Sequence, residues 1–591
     1  MKENRRRIGR FGGLARTLRT IRYLRPSQVG WRLRYALERR RPVLLTDGEM
    51  PTSARVEPAV LPGGHVIERE AELPHTFEDL QRGSFSLLNQ RKLLGPPPVE
   101  WLLGAQTRDR LWAITLHYHE WVYRLTELVG GQQVESREVE QLLARYLDDW
   151  LVRCDVDQPG ARALAWNAFA IATRLGWWTR AYRRLHAVGW HERYPELHRR
   201  FLESYWKQAA YLEQHLEWDL RANHLLRDAI GLLWAGRFFD HPTARRWLDL
   251  GTRLAVEQAQ EQVLADGGHF ERSPMYHIHV LEDLVTAASL VTDEGAARRL
   301  RDACGKMAEF VAWVRHPDGE IPLLNDAAMG AVSSPSEALA MVGAVGVEVD
   351  QAPRRGSRHF GETGLVVHHG PRWSVFFDVG PVGPNVQPGH AHADTLTLCA
   401  SVDGQRLLVD PGTHSYDLDE TRRYDRSTRA HNTVCIDGVD SSEVWHIFRV
   451  GRRARVYDVR VTGEGDRVIA SAWHDGYRHL SGRPRHERIV ETTLDALSIR
   501  DHVSGGGRHE LTGGLLVAPR WSVSETEQGW LLVHDGLRVR VALEGPSGLR
   551  REVVVAPYHP RYGVSVNTRR LVWSFAGPLP VSVSTRLEVE P

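Results

Sequence analysis

Residues 395–412 read TLTLCASVDGQRLLVDPG, two apolar runs joined by the dipeptide Asp403-Gly404. An Asp-Gly pair between strand-like runs is a strong signal for a two-residue β-hairpin turn. We therefore expect the two runs to pair as antiparallel strands, with Asp410 opposite Thr397. This stretch decides the class of the second half of the chain, because similar short strands recur on both sides of it.

Strand-like segments extend from about residue 357 to the end of the sequence. They include GLVVHHG, WSVFFDVG, ARVYDVRVTG, ALSIRDHV and LVWSFAG. Apolar residues follow a period of two in them, and Gly-containing turns separate them. About twelve such strands without intervening helices predict an antiparallel β-sandwich over residues 351–591.

Residues 100–350 follow a helical period instead. Segments such as ARALAWNAFAIATRLGWW, NHLLRDAIGLLWAG and ARRWLDLGTRLAVEQAQEQVL place apolar residues at i, i+3, i+4 and i+7. Short loops between them indicate antiparallel neighbours. Residues 1–99 form a basic segment followed by an extended connection rich in Pro and Gly. A chain of 591 residues is too long for one core, so we predict a multidomain α+β protein.

Residues 1–41 carry fourteen Lys and Arg but only two Glu, a net charge of about +12. Leu, Ile, Tyr and Trp are interspersed among these cations. One interpretation is a helix that lies on an anionic membrane surface, and the other is a basic helix docked on the protein itself. Neither an apolar signal-peptide core nor a run of eighteen apolar residues is present. We therefore expect a bacterial-type protein that is cytoplasmic or peripheral to the membrane, with periplasmic export left open and no nucleic-acid partner.

A polar constellation surrounds the hairpin. The stretch PGHAHAD puts His390 and His392 two residues apart, and Asp410 and His431 follow. Side chains two apart on an extended backbone point the same way. Two imidazoles and one carboxylate are typical zinc ligands and leave a fourth position for water. His392, Asp410 and His431 thus form a candidate metal site, and the alternative is an unusually polar loop.

Two further candidates lie in the helical region. Asn223 comes at the start of an amphipathic helix, where it is either a first-turn residue or a functional one, because Asn is disfavoured inside helices. Tyr276 lies in the polar, turn-rich segment DGGHFERSPMYH that leads into another helix. A packing role would explain Tyr276 equally well.

Taken together, these motifs resemble those of the heparinase II/III-type polysaccharide lyases, a family that includes alginate lyases. The segments that carry the resemblance are NHLLRDAIGL, DGGHFERSPMYHIHVLEDL, PLLNDAAMG, PGHAHADTLTLCASVDGQRLLVDPGTHSY and RRYDRSTRAHNTVCIDG. The resemblance covers roughly residues 100–591. It implies an incomplete (α/α) toroid followed by an antiparallel β-sandwich. It also implies cleavage of an acidic, uronic-acid-containing polysaccharide by β-elimination. The missing signal-peptide core and the arginine-rich start lead to the hypothesis that this chain acts in exopolysaccharide or capsule metabolism.

Carried over residue by residue, the resemblance also implies catalytic roles. Asn223 would hydrogen-bond the uronate carboxylate, assisted by His224. Tyr276 would be the catalytic phenol and His390 a base. These residue types suit the reaction, because hydrogen bonds to the carboxylate stabilise the charge that develops on it when the C5 proton leaves.

The same resemblance implies a second tyrosine and a metal. Tyr416 and Tyr424 compete for the position of the second tyrosine, and Tyr416 is the one we prefer. His392, Asp410 and His431 would hold one structural zinc ion per chain.

Two other classes of function remain open at this stage. A glycoside hydrolase would need a pair of carboxylates facing a cleft, and Asp266, Glu271 and Asp326 are available for it. A non-catalytic glycan-binding or assembly protein would hold a polymer without cleaving it. The sequence leaves the oligomeric state undetermined.

Overall fold

The computed structural model of the protein describes residues 15–38, 50–51, 53–55, 76–103, 109–129 and 136–590. Helices dominate these ranges up to residue 344. They are α1 (15–21), α2 (Pro26–Glu38), α3 (Phe77–Gln81), α4 (Arg110–Leu116), α5 (Glu120–Glu127), α6 (Ser136–Arg153), α7 (Ala168–Ala187), α8 (Trp190–Arg193), α9 (Pro195–Gln214), α10 (Ala222–Phe238), α11 (Pro242–Gln262), α12 (Pro274–Leu290), α13 (Glu294–Trp313) and α14 (Pro335–Ala344). One short helix, α15 (Glu420–Asp425), lies among the later strands.

Helix α10 is the centre of the helical region. Its sequence is apolar on nearly every side, as expected for a helix surrounded by others, and it packs against α7, α9, α11 and α12. The approach to α7 is close, because a Cβ on Gly231 would come within 2.6 Å of the Cα of Ala172. On the facing helix, a Cβ on Gly176 would lie 2.9 Å from the indole Nε1 of Trp234. These small residues hold two long helices side by side.

Antiparallel sheets make up the region that follows. A five-stranded sheet runs in sequence order through β3 (Gly356–Phe360), β4 (Leu365–His369), β5 (Trp373–Asp378), β6 (Leu398–Val402) and β7 (Gln405–Leu408). An eight-stranded sheet has the order β11 (Val456–Glu464), β12 (Arg467–His474), β13 (Arg485–Thr492), β14 (Ala496–Ser504), β21 (Val581–Val589), β18 (Leu537–Glu544), β17 (Gly529–His534) and β16 (Ser522–Glu525). A four-stranded sheet has the order β19 (Arg550–Tyr558), β20 (Val566–Pro578), β15 (Arg508–Leu516) and β8 (Val434–Ile436). A helical region followed by antiparallel sheets confirms the predicted fold class.

The hairpin predicted from Asp403-Gly404 forms, but its register differs from the prediction. Val402 pairs with Gln405 as expected, whereas Ala400 pairs with Leu408 because of a bulge after it. The extra residue shifts the remainder of the hairpin by one position. The pairing ends at Ala400 and Leu408, so Asp410 is not paired with Thr397 and the predicted register was wrong.

Residues 77–93 are more ordered than the predicted extended connection. Helix α3 leads into a hairpin of β1 (Ser84–Leu87) and β2 (Gln90–Leu93). Phe85 of this hairpin is fully buried, with its ring edge-on to Trp101 and Trp121. The hairpin therefore joins the core of the helical region. A second small hairpin, β9 (Val444–Trp445) with β10 (Arg449–Val450), lies in the later region.

A buried ion pair ties two functional loops to the eight-stranded sheet. Arg488 of β13 donates to both carboxylate oxygens of Asp501 on β14, at 2.7 and 2.9 Å. The same guanidinium donates to the carbonyl oxygens of Leu396 and Asn432. The loops on which His392 and His431 lie are thus held by one arginine of the sheet.

The N-terminal helices lie on the protein's own surface and contact both regions. Arg16 and Arg19 of α1 pair with Glu443, at 3.3 and 2.6 Å. In α2, Gln28 is fully buried and donates to the carbonyl oxygen of Asp219, while Trp31 stacks on Trp218. These contacts support the docked-helix interpretation. The prediction for residues 1–41 falls partly outside the described residues, and the membrane-surface hypothesis stays untested.

Removing residues 1–41 distinguishes the two interpretations. Because the deletion removes the contacts of α1 and α2, we expect the melting temperature to fall by at least about 2 °C, with little change in binding to anionic liposomes at low salt. Thermal melts and liposome co-sedimentation of both proteins measure this. An unchanged melting temperature with lost liposome binding would instead establish the membrane-surface interpretation.

Candidate active site

A cavity of about 1640 Å³ lies between the helical region and the loops of the β region. Helices α7, α10 and α12 form one wall, and segments around residues 390, 416–419, 446–448 and 562 form the other. All five side chains predicted to be catalytic line this cavity, namely Asn223, His224, Tyr276, His390 and Tyr416. The structure therefore brings together residues that are up to 193 positions apart in the sequence, counted from 223 to 416.

Asn223 and His224 lie in the first turn of α10. A first-turn position was one of the two interpretations of Asn223 from the sequence. The side chain of Asn223 is buried, and its Oδ1 has no hydrogen-bond partner among the described residues. His224 Nδ1 lies 3.0 Å from Glu217 Oε2. Burial lowers the pKa of His224, but the Glu217 carboxylate outweighs burial and raises the pKa above its usual value. This end of the cavity thus combines an amide with an imidazole that favours its charged form.

Tyr276 begins a chain of three phenols. Its hydroxyl lies 3.0 Å from that of Tyr416, which lies 2.8 Å from that of Tyr562. Burial, together with Tyr562 and Asp326, raises the pKa of Tyr276 well above its usual value. The phenol is therefore a proton donor at neutral pH. The sequence analysis missed Tyr562, since nothing near it in the sequence marks it as functional.

His390 stacks against Tyr276, with ring centroids 3.7 Å apart. Its Nδ1 lies 2.9 Å from Asp326 Oδ2, and Arg422 donates to both oxygens of the same carboxylate. Burial raises the pKa of Asp326, but Arg422 and the two imidazoles of His390 and His392 outweigh burial and hold the pKa well below its usual range. An ionised carboxylate only accepts hydrogen bonds. His390 Nδ1 therefore carries a proton, and in the neutral ring Nε2 has the lone pair.

Asp326 is thus a site residue that the sequence analysis named only as a candidate hydrolase carboxylate. It does not line the cavity, and neither do Asp266 and Glu271. Asp266 accepts hydrogen bonds from the hydroxyl and the N–H of Thr363. The three carboxylates proposed for a hydrolase therefore do not face the cleft. Tyr424 lies outside the cavity too, whereas Tyr416, the preferred candidate for the second tyrosine, lines it.

The predicted metal ligands lie behind His390. His392 Nε2 contacts Asp326 Oδ1 at 2.8 Å, His431 Nδ1 contacts Asp410 Oδ2 at 2.9 Å, and the two imidazole centroids are 5.2 Å apart. The remaining polar atoms of these side chains, His392 Nδ1, His431 Nε2 and Asp410 Oδ1, are buried without a hydrogen-bond partner in the described part of the chain, as is Asp394 Oδ2. Burial lowers the pKa of His392 to about 3, so its ring is neutral.

These unpartnered atoms are the donor set that zinc takes, and buried polar atoms without partners are rare in proteins. The contact of His392 with Asp326 also matches the carboxylate that usually orients a metal-binding imidazole. Within the described ranges, however, no group of three or more His, Cys, Asp or Glu side chains is arranged to hold a metal ion. The residue types and their unpartnered atoms are suited to bind zinc, but their arrangement does not form a recognised metal site. Zinc therefore stays a prediction.

The described residues include no helix that is long and apolar enough to cross a membrane.

Comparison with known proteins identifies the same two regions. Residues 67–341 match the family described as heparinase II/III N-terminus, and residues 352–584 match the family described as heparinase II/III-like, C-terminal. A heparin-sulfate lyase of Bacteroides stercoris is 26% identical over 381 residues, which are 60% of this chain and 54% of that protein. A heparin-sulfate lyase of Pedobacter heparinus is 26% identical over 40% of this chain and 39% of its own length. The chain thus spans about half, or less, of these relatives.

Solved structures show the same fold. A crystal structure of heparinase III superimposes with a TM-score of 0.70 at 14% identity, over 95% of this chain and 92% of that chain. The heparinase III that is the BT4657 gene product gives a TM-score of 0.64 at 19% identity, over 95% and 88% of the two chains. At these identities the likeness concerns the fold alone.

The position of Asp326 predicts a large effect on stability. Asp326→Asn removes the charge that balances the buried Arg422, and breaking a buried ion pair costs roughly 3–5 kcal/mol in the free energy of unfolding. Chemical denaturation checks this value. The matched control is Asp403→Asn, whose carboxylate pairs with Arg372 at the surface and should cost at most about 1 kcal/mol. Equal losses for the two variants would contradict the central role of Asp326.

Proposed function

Because the chain belongs to the heparinase II/III family, we propose that it is a polysaccharide lyase that cleaves uronic-acid-containing polysaccharide by β-elimination. The observation that carries the proposal is the stacking of His390 on Tyr276 in a large cavity that also holds Asn223. This arrangement provides a base (His390), an acid (Tyr276) and a neutral hydrogen-bond donor (Asn223) in the same cavity.

Asn223 and His224 are suited to bind the uronate carboxylate. Both belong to the first turn of α10, where the N–H groups of a helix have no acceptor within it and the helix dipole favours an anion. The amide of Asn223 donates a neutral hydrogen bond, and protonated His224, balanced by Glu217, adds charge. Together they stabilise the negative charge that builds up on the carboxylate as the C5 proton leaves.

His390 and Tyr276 are suited to move the two protons. The lone pair on His390 Nε2 takes the C5 proton, and the phenol of Tyr276 protonates the glycosidic oxygen as the bond from C4 to that oxygen breaks. A double bond then joins C4 and C5. The raised pKa of Tyr276 favours this role as acid over the role as base. Tyr416 and Tyr562 offer a path to return a proton to Tyr276.

We further propose that His392, Asp410 and His431 hold a structural zinc ion through their unpartnered atoms. When bound, the ion supplies positive charge to a region crowded with buried carboxylates. Burial, together with the carboxylate of Asp410, raises the pKa of Asp394 to about 6, although His431 opposes the shift.

The biological setting is also part of the proposal. The relatives are heparin-sulfate lyases by name, and for this chain we propose an acidic uronate polymer of exopolysaccharide or capsule as the substrate. Contact of residues 1–41 with an anionic membrane is the alternative to their docking on the protein, and the liposome experiment above distinguishes the two.

Substitution of the acid and the base tests the reaction. Tyr276→Phe and His390→Ala should each lower kcat by roughly 10²–10⁴-fold, the usual effect of losing a general acid or base. Asn223→Ala should lower kcat more than it raises KM, because its hydrogen bond strengthens in the transition state. Ultraviolet absorbance of the unsaturated product measures turnover on a panel of uronate polymers.

Tyr424→Phe is the matched control, because it removes a phenol hydroxyl outside the cavity and should keep the wild-type rate. Wild-type turnover of Tyr276→Phe on a polymer that yields the unsaturated product would falsify the site assignment.

Metal analysis tests the zinc proposal independently of activity. The purified protein should contain about one zinc per chain, and His431→Ala should lower both zinc content and melting temperature because metal binding is coupled to folding. Elemental analysis and thermal melts of the variant are compared with those of His502→Ala, a histidine on the surface of β14. Zinc contents that do not differ between these two variants would contradict the assignment.

A further inference from the structure

Carboxylates outnumber arginines on the walls of the cavity. Four arginines line the described part of it, Arg110, Arg180, Arg184 and Arg227, and no described lysine does. Twice as many acidic side chains line it, among them Glu120, Glu282, Glu337, Asp417 and Asp419. The wall therefore carries a negative net charge when histidines are neutral.

Two of the arginines are already paired. Arg227 contacts Asp283 Oδ1 at 2.9 Å, and Arg184 lies 3.9 Å from Glu127 Oε1. Arg110 is exposed, so solvent and salt screen the charge of its guanidinium. The positive charge that these three residues offer to a ligand is therefore small.

Arg180 differs from the other arginines. Its guanidinium lies over the rings of Trp177 and Trp234, at 4.9 and 5.2 Å from their centroids. It has no hydrogen-bond acceptor and no ion-pair partner among the described residues, although it is a lining residue of the cavity. Burial lowers its pKa to about 10, so it stays charged at neutral pH. A charged, aromatic-stacked guanidinium without a carboxylate partner is suited to bind an anionic group.

Arg180 lies further along α7 than the residue of that helix that contacts His224. Helices α7 and α10 run side by side along the wall, with Phe169 near His224 at one end and Arg180 near Trp234 further along. Eleven residues separate Phe169 from Arg180 in α7, and at 1.5 Å per residue this is about 16 Å. A polymer that reaches Arg180 therefore has other sugar units at the site of cleavage.

We propose that the cavity accepts an unsulfated uronate polysaccharide and that Arg180 binds a second carboxylate of the chain, away from the bond that is cleaved. The proposal rests on the proposed lyase function and adds the class of substrate. Each sulfate group would enter a wall of the same sign of charge, and like charges brought together oppose binding. One carboxylate at Asn223 and His224 and one at Arg180 match the positive groups that the cavity offers.

Pairs of polymers with the same backbone test the substrate class. Heparin is compared with heparin that has been desulfated and N-acetylated, and chondroitin sulfate with chondroitin, alongside alginate. We expect kcat/KM and affinity to be at least about tenfold higher for the unsulfated member of a pair. Faster cleavage or tighter binding of a sulfated member would overturn the inference, and so would a failure of every polymer to bind.

Affinity is measured by calorimetry on the full chain with Tyr276→Phe, which binds without turnover. Polyanions can also contact basic residues outside the cavity, so binding in the cavity is the part of the affinity that Arg180→Gln removes. This change should weaken binding of the unsulfated polymer by roughly 10- to 100-fold, the usual loss for a hydrogen bond to a charged group. Arg253→Gln removes one charge from an exposed site on α11 and should leave the affinity unchanged. Equal affinities for the two variants would overturn the role of Arg180.

The two proposals fail in different ways. If the unsulfated polymer binds through Arg180 but no polymer yields the unsaturated product, the proposed lyase function is wrong. The proposed binding of an unsulfated polymer in the cavity is then still supported. If heparin is cleaved faster than its desulfated counterpart, the proposed lyase function is supported and the proposed substrate class is wrong.

Discussion

The ion pair between Asp326 and Arg422 is the interaction on which the rest of the site depends. Neither side chain is in contact with solvent, since both are at most 1% exposed. An unpaired charge would be very unfavourable in such surroundings, so the two residues must meet for either to be buried. Asp326 belongs to the loop after α13, and Arg422 belongs to α15 in the β region. The pair therefore joins the two regions next to His390, which lines the cavity.

The two oxygens of Asp326 also organise both imidazoles of the HAH motif. One oxygen accepts from His390 and the other from His392, which fixes the tautomer of each ring. His390 keeps a free Nε2 next to Tyr276, and His392 keeps a free Nδ1 facing His431. A single carboxylate thus binds both His390, which lines the cavity, and His392, which belongs to the candidate metal site. The two histidines are only two positions apart in the sequence.

Burial has opposite consequences for the phenols and for the arginines of the cavity. It raises the pKa of Tyr276 and Tyr416, which keeps both protonated and able to donate. Arg180 stays charged in spite of burial, because the faces of two indole rings partly replace its lost hydration. The cavity therefore combines neutral donors near the reacting bond with Arg180, a charged guanidinium that has no ion-pair partner among the described residues, a pattern that favours a weakly charged polymer.

The sequence by itself determined the order of a helical and a β region and the hairpin at Asp403-Gly404. It also led to the five candidate catalytic residues, all of which line the cavity. Periodicity and turn chemistry are local properties, so they can be read without a structure, and the family resemblance supplied the five lining residues. The domain boundaries at residues 99 and 350 stay predictions. Only the tertiary structure decided the register of the hairpin, the position of Tyr416 in the cavity and of Tyr424 outside it, and the contacts of Asp326, Tyr562 and Arg180. Each of these depends on contacts between distant segments, and a bulge, a buried ion pair or an unpaired guanidinium exists only once those segments are packed together.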